Sequence, residues 1–455
     1  MPPSAQDGRR ASATSGEHKP SESYGNVDDS LAPTTNLSPQ YGSTFPPRDG
    51  RCHSDFRTST ASQAAYDVPD TYANLDEAAG VWPVQNPHEQ PTYRFRSLEQ
   101  VRSQEQDRRR SLAGGRPLED EKPQGVRFEV SRLLTQLYTV SYLIFFSILG
   151  TLARLGLQAL TNYPGTPIGF SSIWPNFAGS LVMGFLAEDR KAQAAAVKKT
   201  IPLYIGLATG FCGSFTSFSA FIRDMFLALS NDLDNTAARN GGYSFLTLLA
   251  VPIVTVSLSL GALVLGAHLA IALAPLTPSL PRRLRATLDK AAVFLGWGCW
   301  LGAVLLSIFP PPSGGGHADW RGKVTFALVF APPGCLVRFY ASLKLNGRVA
   351  AFPVGTFVVN LAGTGVLAMA WDLAHSGGAA AAGQGLIGCQ VLAGVQDGFC
   401  GCLTTVSTWV GELAALRRRH AYVYGGASVL GGFAVVVAIM GGLRWSESYE
   451  WGACG

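Results

Sequence analysis

A helix that crosses a bilayer needs about 20 consecutive, mostly apolar residues. Nine such stretches run along this 455-residue chain, centred near residues 146, 180, 212, 258, 299, 334, 362, 398 and 432. An odd number of crossings puts the two ends on opposite sides of the membrane, and the basic loops decide which side is which. Arg190, Lys191, Lys198 and Lys199 follow the second stretch, Arg282, Arg283 and Arg285 the fourth, Lys344 and Arg348 the sixth, and Arg417 to Arg419 the eighth. The alternate loops (SNDLDNTAARN, PPPSGGGHADW and HSGGAAAAGQG) carry little positive charge. The expected topology has a cytoplasmic N-terminus and an extracellular C-terminus.

Residues 1–130 are different in kind. They hold 15 of the 36 Lys and Arg and 19 of the 31 Asp and Glu, with many Ser, Gln and Pro and no sustained apolar period. Such a segment buries too little apolar surface to offset the entropy of ordering, and it reads as a disordered cytoplasmic tail. Its start, MPPSAQDGRRASATSG, has no apolar signal-peptide core, so the first crossing is expected to target the chain, with the run Arg108 to Arg110 on its cytoplasmic flank. Cys212, Cys299, Cys335, Cys389, Cys400 and Cys402 lie in or beside apolar runs and are expected to be buried thiols rather than disulfides or a metal clip.

The second half repeats the first. Gly150-Thr-Leu-Ala-Arg154 matches Gly334-Cys-Leu-Val-Arg338, and Asn176-Phe-Ala-Gly179 matches Asn360-Leu-Ala-Gly363, both 184 residues on. Gly210-Phe-Cys-Gly213 matches Gly398-Phe-Cys-Gly401 at an offset of 188, and Ser257-x3-Gly261 matches Ser428-x3-Gly432. Four crossings thus recur in order, with one crossing, about residues 289–309, between them. A single intervening crossing turns the second copy upside down. The expected fold is an all-α integral membrane protein of two inverted four-helix repeats, 131–275 and 311–445, joined by a linker with one helix, 276–310, and ending in a short extracellular tail, 446–455. Inverted repeats place an ion or substrate site at the midplane, where broken helices of the two halves meet.

Several residues are candidates for that site. Gly210 and Gly213 followed by Thr216, Ser217 and Ser219 predict a break in the third crossing, and unpaired carbonyls at membrane depth require protein, water or a bound ion. Carbonyls suit a hard monovalent cation. Phe218 and Phe221, three apart, share a helix face; they are either ordinary packing or ring edges, positive by the aromatic quadrupole, offered to an anion. Asn176 and Asn360 present amide donors, and Ser257 and Ser428 hydroxyls, to an anion or to a neighbouring helix. Arg154 and Arg338 fall at opposite ends of their crossings and either make each mouth electropositive or snorkel to the interface. No crossing carries a Glu, Asp or His clearly at its middle, with Asp397 the one reservation, which favours passive conduction over proton coupling. Phosphate-loop, zinc-protease and nucleophile-elbow motifs are missing from the sequence, which argues against an enzyme.

Taken together, these motifs, with Pro353-Val-Gly-Thr356 ahead of Asn360 and Tyr424-x3-Ser428-x3-Gly432 at the end, resemble the fluoride channel family, Fluc or CrcB in bacteria and FEX in eukaryotes. The resemblance covers about residues 135–445. It implies the fused eukaryotic form, a monomer with an internal pseudo-dimer in the plasma membrane, and passive fluoride export that protects the cell. It implies fluoride ligands among Asn176, Asn360, Phe218, Phe221, Ser219, Thr405, Ser257 and Ser428, with Arg154 and Arg338 in the vestibules. It also implies a structural sodium ion on the carbonyls of Gly213, Thr216, Gly401 and Thr404. Val406 and Trp409 stand where the first repeat has Phe218 and Phe221, so one of the two ancestral paths is expected to have degenerated. The rival readings are a proton- or sodium-coupled small-ion transporter and a non-transporting membrane scaffold.

Overall fold

The computed structural model describes residues 66–77, 97–100, 102–103, 130–163, 166, 168–188, 198–233, 240–276, 281–309, 318–376 and 386–449. Arg108 to Arg110, Arg190 and Lys191 lie outside the described residues. Apart from one isolated bridge between Tyr66 and Val130, the ordered backbone there is helical.

Eleven helices carry the architecture. In chain order they are α1 (Arg132–Thr161), α2 (Ile173–Glu188), α3 (Pro202–Ile205), α4 (Phe218–Ser230), α5 (Gly241–Ala272), α6 (Arg282–Ile308), α7 (Ala318–Leu345), α8 (Val354–His375), α9 (Leu386–Gly394), α10 (Ser407–Ala415) and α11 (Arg418–Ser446). Between α3 and α4 the chain winds through a π-helical stretch, Gly206–Cys212, and a last turn, Gly213–Phe215; between α9 and α10 it does so through Val395–Cys400 and Gly401–Leu403. Among the described residues, seven segments are long and apolar enough to cross a membrane: α1, the broken α3–α4 unit, α5, α6, α7, α8 and α11. The chain is a multi-pass, all-helical membrane protein.

The same packing recurs in both halves. In the first, α2 lies along α5, where Gly184 lets the helix press on the Leu263 backbone and Gly266 meets the Leu181 carbonyl; in the second, α8 lies along α11. α1 packs on the π-helical stretch of the first half, Gly206–Cys212, and α7 on that of the second, Val395–Cys400. The halves then interlock, because α4 packs on α8 and α11 while α10 packs on α2 and α5.

α6 sits outside this core against α1 and α7, with Phe294 and Leu301 exposed on its far face. A proline inside a helix frees the carbonyl four residues earlier. Here Pro333 leaves the Val329 carbonyl open, and the Trp300 indole N–H from α6 donates to it at 3.0 Å.

Two expectations need correcting. Cys212, Cys335, Cys400 and Cys402 are buried free thiols and Cys299 an exposed one, but Cys389 is disulfide-bonded. It stands in the first turn of α9, at a helix end rather than in mid-crossing. Parts of the N-terminal segment also pack on the helices. Tyr72, Leu75 and Leu98 are buried, and Tyr72 meets Phe339 edge-on at 5.7 Å.

Candidate functional site: two crossed helix breaks

Each break opens at an extended threonine, and in the first half Ser217 (φ −143, ψ 117) is extended as well. Thr216 has φ −95 and ψ 152, and Thr404 has φ −97 and ψ 150. Both threonine hydroxyls close back on their own turn, donating to the carbonyls of Cys212 (3.1 Å) and Cys400 (2.9 Å). The same oxygens then reach into the opposite half. Thr216 Oγ1 accepts from the backbone N–H of Val406 (3.2 Å) and Ser407 (3.1 Å) and lies 3.2 Å from Thr405 Oγ1. Thr404 Oγ1 accepts from the Ser219 N–H (3.1 Å) and lies 3.0 Å from Ser219 Oγ and 3.3 Å from Ser217 Oγ. The start of each half's second helix is therefore capped by a hydroxyl from the other half's break.

The asparagines hold these breaks open. Asn176 Oδ1 accepts from the Ser217 N–H at 2.9 Å and its Nδ2 donates to the Ser217 carbonyl at 3.4 Å; Asn360 does the same to Thr405, at 2.9 and 3.2 Å. In a continuous helix the Ser217 N–H would serve the Gly213 carbonyl and the Thr405 N–H the Gly401 carbonyl. The N–H groups of Ala220 and Thr408, which would serve Thr216 and Thr404, instead meet Ser217 Oγ (3.3 Å) and Thr405 Oγ1 (3.4 Å). The carbonyls of Gly213, Thr216, Gly401 and Thr404 are thus among those that lose their helical donors where the two breaks touch. Each asparagine amide has one further N–H beyond the one engaged on the break.

The arginines cross over as well. Arg338 donates from Nη2 to the Thr209 carbonyl (2.7 Å) in the first π-helical stretch and from Nε to the Cys402 carbonyl (2.8 Å). Arg154 donates to the Asp397 carbonyl, the equivalent position in the second. A methyl group on Gly213 would collide with the Arg338 guanidinium, and one on Gly401 with that of Arg154. Gly150 and Gly334, four residues before the arginines, press α1 and α7 onto the carbonyls of Phe211 and Phe399. The Gly-x3-Arg spacing is thus a close contact followed by a reach across it. Both arginines are almost fully buried, at 2% and 1% exposure, so neither lines an open vestibule in this structure. One nitrogen of each, Nη1, has no partner among the described residues.

Beyond the breaks the two halves differ. Phe218 meets Phe221 edge-on (centroids 5.7 Å, 84° between planes) and also Trp409 (5.4 Å, 69°). Phe218 also borders α11, where a methyl group on Gly432 would touch its ring. Trp409 is buried and its indole N–H has no partner among the described residues. Val406, at the position matching Phe218, is fully buried.

Ser428 is buried on α11 and donates to the Tyr424 carbonyl at 2.8 Å. Ser257, its match by sequence, is not brought to the site: it is exposed on α5, between the buried Thr255 and Ser259. The reason is register, since the face of α5 turned to α2 and α4 is set by Gly266 and its neighbours rather than by the Ser-x3-Gly pair.

At the end of this side lies a polar cluster that motif reading did not assign. The Glu412 carboxylate accepts from Tyr424 Oη (2.6 Å) and Thr356 Oγ1 (2.6 Å), and Asn346 Nδ2 stands 3.4 Å away. Its counterpart 188 residues earlier, Asp224, is engaged differently, by the Arg223 guanidinium (3.1 Å) and the Ser172 N–H (3.2 Å). That shared offset was the signal that could have found Glu412.

Among described residues, no group of three or more His, Cys, Asp or Glu side chains forms a metal cluster.

Comparison with known proteins places this geometry. The family described as CrcB-like protein, Camphor Resistance (CrcB), matches the chain twice, at residues 141–274 and 325–442. The chain is 57% identical to fluoride export protein 1 of Neurospora crassa, over 86% of each chain. It is 34% identical to fluoride export protein 1 of Candida albicans, over 72% of this chain and 87% of that one. The fluoride-specific ion channel FluC of Geotalea uraniireducens is 32% identical over 26% of this chain and 88% of its own length. No solved structure matches. With a family match in each half and relatives that align along most of its length, the chain belongs to the CrcB-like protein family.

Proposed function

We propose that this protein exports fluoride through a passive, anion-selective channel, and so protects the cell from fluoride; it is a transport protein and not an enzyme. The observation that carries the reading is the reciprocal capping of the two breaks, Thr216 on Ser407 and Thr404 on Ser219, which builds one rigid centre between the halves. On one side of that centre follows a file of groups without fixed positive charge: the Phe218 and Phe221 edges, the Trp409 indole N–H, and the hydroxyls of Ser428, Tyr424 and Thr356. In this structure those hydroxyls donate to the Tyr424 carbonyl and the Glu412 carboxylate, and they would have to turn to an anion. Hydroxyl, N–H and ring-edge donors replace hydration around a small anion without holding it as tightly as an ammonium would.

The nine helical segments, counting α3–α4 and α9–α10 as one crossing each, fit nine crossings, and the two family matches fit two repeats inverted by α6. In this reading a single chain is the working unit, in the plasma membrane, with the N-terminus inside and the C-terminus outside.

The four carbonyls of Gly213, Thr216, Gly401 and Thr404 fit a hard monovalent cation, because each has lost its helical donor and all are oxygens at a contact between the breaks. A sodium ion held there would neutralise the carbonyl dipoles and fix the two breaks together.

Fluoride reaches the cytoplasm as neutral HF from acidic surroundings, dissociates and is trapped as the anion. The membrane potential then drives it out, at about 2.3 kcal/mol per charge for 100 mV, so no coupling ion is needed. The test is fluoride release from proteoliposomes under a potassium gradient with valinomycin, with chloride as control. Voltage-driven fluoride release well above that of empty liposomes, with chloride retained, is expected; release that ignored voltage and followed a proton or sodium gradient would replace the channel by a coupled transporter.

A further inference from the structure

Two pieces of the N-terminal segment dock at one end of the helix bundle. Asn74 Nδ2 donates to the Leu343 carbonyl (2.7 Å), Lys199 Nζ to the Ala73 carbonyl (2.9 Å) and Tyr204 Oη to the Glu77 carbonyl (3.2 Å). The second piece clasps the same end, where Glu99 accepts from the Arg417 N–H (3.1 Å) and pairs with His420 (2.7 Å). Arg102 donates to the Ala350 carbonyl at 3.2 Å. All of these anchors lie on the loops and helix ends that carry the basic residues, the cytoplasmic side of the proposed channel.

The clasp ends at the mouth of the donor file. Arg102 pairs with Asp76, and both side chains are buried. Asp76 Oδ2 accepts from Asn346 Nδ2 at 3.0 Å, and that same nitrogen is 3.3 Å from Thr356 Oγ1 and 3.4 Å from Glu412 Oε1. A single amide therefore separates the tail's carboxylate from the Thr356–Glu412–Tyr424 cluster. On the other side of Asp76, Leu75 and Glu77 close a small cavity lined also by Lys199, Tyr204, Ile205, Ala208 and Thr209. Thr209 is the residue whose carbonyl Arg338 holds.

We propose that Asp76 and Arg102 are access residues of the fluoride path: a buried ion pair supplied by the N-terminal segment, whose balance of charge sets how readily an anion enters from the cytoplasm. The proposal rests on the fluoride-channel reading. While paired, the two charges cancel at the mouth. Removing the guanidinium leaves a carboxylate that repels an entering anion, and removing the carboxylate leaves a guanidinium that attracts one, in a setting where water screens little. A merely structural clasp behaves otherwise, since loss of either partner loosens the same segment and moves transport the same way.

The test uses the full chain in liposomes, with initial fluoride release measured for wild type, Arg102→Gln, Asp76→Asn and the double variant, and hydrogen exchange over residues 66–77 as the docking readout. Release is expected to fall about tenfold in Arg102→Gln, to rise severalfold in Asp76→Asn, and to return to within about twofold of wild type in the double variant. Single variants that shift release in the same direction, or leave it unchanged, would overturn the access role while leaving the channel standing. Wild-type release no faster than that of empty liposomes would overturn the channel and this inference together.

Discussion

The two helices that follow the breaks, α4 and α10, start alike and then diverge. Both begin at an extended threonine, both are clamped by an asparagine from the neighbouring helix, and both are capped by the opposite half. After that point α4 presents Phe218 and Phe221 and packs on α8 and α11, where Ser428, Tyr424 and Thr356 lie; α10 carries Val406 and Trp409 at the matching positions, lays the Trp409 ring against Phe218, and packs on α2 and α5, where the matching serine, Ser257, faces outward. The difference separates two requirements. The break has to be kept in both halves, because each threonine caps the other half's helix and each asparagine holds the break of its own half, so losing either exposes buried backbone groups. The file of donors is needed once, so the second copy was free to drift.

The sharpest way to break this comparison is to remove a clamp. Asn360→Ala would leave the Thr405 N–H and carbonyl buried without partners, each at a cost of about 1–3 kcal/mol. Asn176→Ala would strip the Ser217 N–H of its acceptor, while the Ser217 carbonyl keeps the Phe221 N–H at 3.4 Å. Fluoride release is expected to fall by about a hundredfold or more for either, and a clamp whose loss left release intact would mean that the breaks are not both required.

A smaller effect is expected at the mouth. Tyr424→Phe removes one donor from the Glu412 carboxylate and is expected to slow release about tenfold, whereas Ile253→Phe, at the matching place on α5 and exposed, is expected to leave it within about twofold. Equal losses would mean that both sides carry ions. The smallest effect is at the serines, where Ser428→Ala should lower release severalfold and Ser257→Ala should be silent in the same assay.

Much of this arrangement was legible in the sequence, because the residues that make a break are few in kind and recur at fixed offsets. Gly-x3-Arg and the paired asparagines marked the repeat, and Gly-Phe-Cys-Gly with the hydroxyl residues after it marked the breaks. What those residues do was less legible. An intramembrane asparagine reads as a donor to an anion or to a helix, and only the coordinates show one amide satisfying both groups of a single peptide unit.

Ser257 was misplaced because spacing within one helix says nothing of how that helix is turned about its axis. Glu412 drew no attention in the sequence, although Asp224 stands at the same offset. The docked segment was invisible to periodicity, since Tyr72, Leu75 and Leu98 are isolated apolar residues in a polar stretch and become anchors only against helix ends far away in sequence.

The central claim is that fluoride passes on the Phe218 side of the two breaks, and the most direct measurement compares Phe218→Ile with Val406→Ile in voltage-driven fluoride release from proteoliposomes. The account predicts a loss of at least about thirtyfold for Phe218→Ile and a change within about twofold for Val406→Ile. Comparable losses in both, or a larger loss at Val406, would contradict it.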